Sequence, residues 1–172
     1  LVVLAQTTAF SVAQAQGIPP VFIDGYSIRP FNSATTAPSI GMEVDPRGGV
    51  FVAHGGAQAL NQPISFIEAD GIDRRWGPSI LAPDALALAP DGTLYVGSGG
   101  QMIYRIQPAG TPSGVWLTDP LVGNANALCL DRGGNLYVGS QANNQLVRVA
   151  PNLSITAVTA PGVVRSPCGC TV

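Results

Sequence analysis

The sequence contains no lysine and a single histidine, and only 10% of its 172 residues are charged, against about 25% in average soluble domains. Its eight basic residues are all arginine and the formal net charge is −2, so no basic surface exists to neutralise a phosphate backbone. Nucleic acid is therefore not an expected partner. A Gly-x-Ser-x-Gly elbow, a phosphate-binding loop and a paired-carboxylate signature are all missing, which removes the usual motif support for serine hydrolase and nucleotide chemistry. Nor does any apolar run reach the roughly 20 residues that a membrane helix needs, so no stable membrane span is expected. The three cysteines, Cys129, Cys168 and Cys170, fit neither a zinc knuckle nor a Cys-x-x-Cys redox motif. Their odd number leaves at least one without an intramolecular partner, and spacing alone does not choose the pair.

What the chain has in quantity is apolar side chains, at 46%, together with 21 glycines and 15 prolines. Glycine and proline at this density oppose long helices, while the apolar share is too high for a disordered chain. The length suits one folded domain.

Residues 1–15, LVVLAQTTAFSVAQA, close on Ala13-Gln14-Ala15, the pattern of a secretory signal peptide cleaved before Gln16. The basic segment that normally precedes such a stretch is missing, since the first arginine is Arg29, so the expectation is a signal peptide truncated at its N-terminus. A secreted, periplasmic or extracellular location follows as the expectation. Asn152-Leu153-Ser154 is a glycosylation sequon on the same reading.

Three segments align without gaps: Gly41-Met42-Glu43-Val44-Asp45-Pro46-Arg47-Gly48-Gly49-Val50-Phe51-Val52-Ala53, Ala85-Leu86-Ala87-Leu88-Ala89-Pro90-Asp91-Gly92-Thr93-Leu94-Tyr95-Val96-Gly97, and Ala127-Leu128-Cys129-Leu130-Asp131-Arg132-Gly133-Gly134-Asn135-Leu136-Tyr137-Val138-Gly139. The shared Gly48, Gly92 and Gly134 recur at separations of 44 and 42 residues, the period of a four-stranded propeller blade. Each copy reads as a hairpin, with a short apolar strand entering a turn in which glycine supplies the positive φ. The strand after the turn is apolar at consecutive positions, so both of its faces need covering, as between stacked blades. A third strand follows at Ile64-Ser65-Phe66-Ile67, Ile103-Tyr104-Arg105-Ile106 and Leu146-Val147-Arg148-Val149. An outer fourth strand is expected at Val115-Trp116-Leu117 and Ile155-Thr156-Ala157-Val158, with Trp76 the counterpart of Trp116 in the first copy. That copy also carries an insertion of about five residues between Gly55 and Pro63.

These repeats, above all Gly134-Asn135-Leu136-Tyr137-Val138 followed by Asn144-Gln145-Leu146-Val147-Arg148-Val149, resemble the NHL-repeat propellers and the related senescence-marker/gluconolactonase superfamily. The expected fold is all-β: a propeller-like array of about three to four four-stranded antiparallel blades in an incomplete ring. Residues 16–172 form the partial propeller on this reading, with repeats at about 38–80, 81–122 and 123–165 and the start of a further one at 166–172. The fold hosts many functions, so function must come from sites.

In gluconolactonase-type enzymes the resemblance implies a divalent cation at the channel mouth, held by Glu, Asn and Asp from different blades. Asp84 and Asn126 are 42 residues apart at the same repeat position, directly before the inner strand, and are the candidate metal ligands. Oxygen donors there would suit calcium; the same side chains also suit capping of local turns. Glu43 is the one ionisable residue within an inner strand, a weak catalytic candidate whose alternative is a solvated, channel-facing carboxylate. His54, aligned with Ser98 and Ser140, is a weak acid–base candidate without a companion, and a loop-lining role is its alternative.

Two functions fit this pattern. One is a secreted scaffold that binds a small molecule, carbohydrate or protein at its Gly-, Asn-, Gln- and Ser-rich loop face, with self-association completing the ring. The other is a metal-dependent lactone or ester hydrolase in which the cation polarises a carbonyl.

Overall fold

The structure, a computed structural model, describes residues 39–55, 61–108 and 112–170. The expected signal peptide at residues 1–15 lies outside them. Twelve strands form three antiparallel four-stranded sheets, each with its strands in sequence order. The first contains β1 (Gly41–Val44), β2 (Val50–Ala53), β3 (Asn61–Ile67) and β4 (Asp73–Leu81). The second contains β5 (Pro83–Leu88), β6 (Leu94–Ser98), β7 (Met102–Ile106) and β8 (Pro112–Thr118). β9 (Ala125–Leu130), β10 (Leu136–Ser140), β11 (Gln145–Val149) and β12 (Ile155–Ala157) make the third. A 3-10 turn at Pro120–Val122 links the second and third blades. This is the expected all-β, propeller-like array, with three blades described.

The turn chemistry accounts for the first hairpin of every blade. Gly48, Gly92 and Gly134 take φ of 105°, 87° and 78°, conformations that a side chain would strain. Their N–H groups donate to the carbonyls of Asp45, Ala89 and Asp131 at 2.9, 2.9 and 3.0 Å, which closes the three turns in the same way. Aspartates then secure neighbouring donors: Asp45 Oδ1 accepts from the Arg47 N–H at 2.9 Å, and Asp131 Oδ1 accepts from Gly133 and Asn135 at 2.9 Å each. Asp91 does the same for Thr93 at 2.9 Å.

Packing between blades supplies the core. One cluster joins Phe51, Ala53, Ile64 and Ile80 of the first blade to Leu86, Leu94, Val96 and Ile106 of the second. Another joins Ala85, Ala87 and Ile103 to Leu128, Leu136, Val138 and Val147 of the third. The consecutive apolar residues of β2, β6 and β10 are thus covered on both faces. The inner strands come so close that a Cβ at Gly97 would collide with the carbonyl of Ala125. Trp76 and Trp116 are equivalents in packing, each against the aromatic ring of the second strand: Phe51 at 4.7 Å and Tyr95 at 4.8 Å. Their registers differ, because Ile64 pairs with Trp76 whereas its counterpart Ile103 pairs with Leu117, next to a bulge.

Residues 166–170 form no strand, although the sequence places the start of a further inner strand there. They enter as the other inner strands do. Ala82, Asn124 and Ser166, spaced by 42, all take a left-handed φ, of 43°, 51° and 45°. Pro167 then sits against Gly139, as Ala125 sits against Gly97. A disulfide between Cys129 on β9 and Cys170 fastens this segment, leaving Cys168 free and exposed.

Candidate functional site

Asp84 and Asn126 are the second residues of β5 and β9, neighbouring inner strands whose entry is set by the left-handed residues two positions earlier, Ala82 and Asn124. The two side chains meet. With its amide nitrogen facing the carboxylate, Asn126 donates to Asp84 Oδ1 at 2.9 Å. The pair therefore bridges two blades instead of capping separate local turns. They share a cavity of about 360 Å³ with Ile40, Ala82, Gly99, Asn124 and Gln141. Desolvation pushes the Asp84 carboxyl up from its ordinary value, and the Asn126 donation acts in the opposite sense.

Asn124 and Gln141 form the other half of the site. The Asn124 side-chain amide donates to Gln141 Oε1, and the Gln141 backbone N–H donates to the Asn124 carbonyl at 3.0 Å. The Asn124 N–H is held by Gly100 O at 2.7 Å, so the left-handed residue is pinned by both blades. Gln141 carried no repeat signal, because its importance lies in the loop that folds over Asn124.

One carboxylate and three side-chain amides offer hard oxygen donors from two blades, the donor chemistry that calcium prefers. Asp84, Asn126, Asn124 and Gln141 are the residues able to hold such an ion. Among the described residues no group of three or more His, Cys, Asp and Glu side chains converges, at this site or any other.

Glu43 stands apart from this site. It is half-buried against the second blade and accepts the Leu88 backbone N–H, at the opposite end of β5 from Asp84. Burial raises its carboxyl, partly offset by that bond, so the solvated carboxylate expected from the sequence is corrected to a partly desolvated one. It lines a second cavity, of about 460 Å³, with Asp45, Arg47, Leu88 and Asp91. Asp45 there is paired with Arg47 at 2.8 Å, and that guanidinium holds its carboxyl below the usual range.

His54 is buried, not loop-lining, and its Nε2 lies 2.8 Å from Ser65 Oγ. Its counterparts do the same kind of work: Ser98 Oγ donates to Met102 O at 3.2 Å and Ser140 Oγ to Gly123 O at 3.0 Å. This repeat position ties the end of each second strand to a neighbouring segment, which is a structural role.

No protein-family model matches the chain, and no curated protein does. Solved structures do. A virginiamycin B lyase from Staphylococcus aureus is 19% identical with a TM-score of 0.61, over 76% of this chain and 44% of that one. The calcium-binding protein regucalcin from Agrobacterium tumefaciens is 19% identical with a TM-score of 0.62, over 76% and 48%. A gluconolactonase from Xanthomonas campestris is 20% identical with a TM-score of 0.60, over 76% and 48%. The chain has the propeller fold of these proteins and spans less than half of the length of each.

Proposed function

We propose that the cavity lined by Asp84 and Asn126 binds a divalent cation such as calcium and, with it, a small oxygen-rich ligand. The observation that carries this reading is the meeting of Asp84 and Asn126 from adjacent blades in one cavity with Asn124 and Gln141. A desolvated carboxylate beside neutral amides lacks a compensating charge, which a bound cation supplies. The amides of Asn124 and Gln141 suit hydrogen bonding to hydroxyl or carbonyl groups of the ligand. Similarity to a calcium-binding protein and to a gluconolactonase supports the same direction at the level of fold.

A hydrolase reading is favoured by one further feature, the similarity of the fold to that of a gluconolactonase. A cation there would polarise a lactone or ester carbonyl. Asp84 would stay within reach of the attacking water, while Asn124 and Gln141 orient the ligand. Neither His54 nor Glu43 takes part, since both lie outside the cavity lining.

We place this propeller in an exported protein. The apolar segment at residues 1–15 and a Cys129–Cys170 disulfide both suit an oxidising compartment. No helix among the described residues is long and apolar enough to cross a membrane.

Thermal unfolding with and without calcium tests the cation site. A ligand that binds only the native state stabilises it by RT ln(1 + [L]/Kd), so Tm rises with calcium in the wild type and not in Asp84→Ala. A Tm that ignores calcium in both would overturn the cation site. Turnover of a simple lactone that Asp84→Ala abolishes selects the hydrolase reading, and calcium binding without turnover selects the binding one.

A further inference from the structure

Cys129 of the third blade is bonded to Cys170, and Cys168 lies two residues from that bond. Cys129 is a buried residue of β9, 7% exposed, whereas both Cys170, its disulfide partner, and Cys168 are exposed. The disulfide closes a separation of 41 residues and fastens a segment without regular secondary structure. Apart from that bond, the segment is held by Pro167 packing on Gly139 and by the Ser166 N–H donating to Asn144 Oδ1 at 3.0 Å. The Cys168 thiol donates to Ser166 O at 3.0 Å, within its own segment. Gly169, between the two exposed cysteines, takes a φ of 91°.

We propose that these cysteines form an intramolecular exchange set, with Cys168 as the attacking thiol, which makes residues 166–170 a latch on the third blade that opens and closes by disulfide exchange. Two residues apart, the Cα atoms of Cys168 and Cys170 lie within about 7 Å of each other even in a fully extended chain, and Gly169 between them takes a φ of 91° without strain, so a modest backbone adjustment brings the pair into the range a disulfide bridges. Exposure selects the sulfur attacked. Cys170 is the exposed half of the disulfide and Cys129 the buried half, so the Cys168 thiolate attacks the Cys170 sulfur.

The step needs no external oxidant or reductant. Cys168 gives its proton to solvent and its sulfur bonds Cys170; the Cys129–Cys170 bond breaks, and its electron pair leaves on the Cys129 sulfur, which takes a proton from solvent. One disulfide and one thiol are present before and after. The product holds a Cys168–Cys170 bond within the segment and a free Cys129, so nothing covalent then ties residues 166–170 to β9. Reversal restores the latch.

Non-reducing peptide mapping distinguishes the two states. The intact protein is equilibrated in a glutathione redox buffer, quenched with acid, alkylated and digested with trypsin. Cleavage after Arg132 and Arg165 isolates residues 166–172 from the peptide that carries Cys129. The latched form leaves these peptides linked; the released form yields residues 166–172 two hydrogens lighter and an alkylated Cys129. Both are expected in the wild type, and only the linked form in Cys168→Ser, whose disulfide dithiothreitol reduces several-fold more slowly. Exclusively linked peptides in the wild type, with a reduction rate equal to that of Cys168→Ser, would overturn the proposal. Bonding of Cys129 to Cys168 would overturn it as well, because the attack would then fall on the buried sulfur.

Discussion

At the scale of single residues, the environment around a side chain decided more than its type. Asp84 was legible as a candidate because it recurs at the position of Asn126, but the desolvation that raises its carboxyl comes from residues distant in sequence. A folded-state pKa above the unfolded one means that the native protein binds protons more tightly, so this group's contribution to stability falls as pH rises through the window above about 3.8. Asp84→Asn is therefore expected to raise Tm near neutral pH in the absence of calcium and to leave it unchanged below the aspartate range. A pH series of thermal melts checks this. Leu153 offers a different test, because it takes a φ of 65° in the outer turn of the third blade, where its N–H donates to Ala150 O at 2.8 Å. The corresponding turn of the first blade has Gly71 at φ 86°. Leu153→Gly is expected to stabilise by about 1 kcal/mol, since it relieves the left-handed strain of an exposed leucine; chemical denaturation would measure it.

Among the elements, the inner strands define the distance between blades. β1, β5 and β9 approach so closely that glycine or alanine is needed where they meet the second strands. Gly97→Ala puts a methyl group onto the Ala125 carbonyl, which belongs to a backbone that cannot move without displacing Asn126 beside it. The expected cost is about 1–3 kcal/mol. Denaturant melts would show it, and the calcium-induced Tm shift should weaken in the same variant. Hairpin positions were readable because Asp, Pro and Gly act within four residues of each other. The one-residue difference between Trp76 and Trp116 was not, because a bulge on β8 that includes Trp116 shifts the register there.

At the scale of the whole array, the first sheet among the described residues carries exposed apolar side chains on β1. Met42 and Val44 on β1 are 70% and 68% exposed, although the equivalent strands β5 and β9 are mostly buried. Apolar faces of this kind favour association. We expect the isolated chain to self-associate with rising concentration, and Met42→Lys combined with Val44→Lys to reduce that association in light scattering. Equal scattering from both proteins would assign the contact to another surface.

What the sequence by itself determined was the repeat: its 42- and 44-residue period, the hairpin turns, the all-β class, and the two positions, Asp84 and Asn126, that recur where blades begin. These features are legible because each arises from neighbours within a few residues, or from the same local pattern copied along the chain. Only the tertiary structure decided that Asp84 and Asn126 touch, that Gln141 closes over Asn124, that His54 is a buried tie to Ser65, and that Cys129 bonds Cys170 and leaves Cys168 free. Each of these depends on the rotation from one blade to the next, which is fixed by how the facing apolar surfaces interlock and which leaves no periodic trace in any one strand.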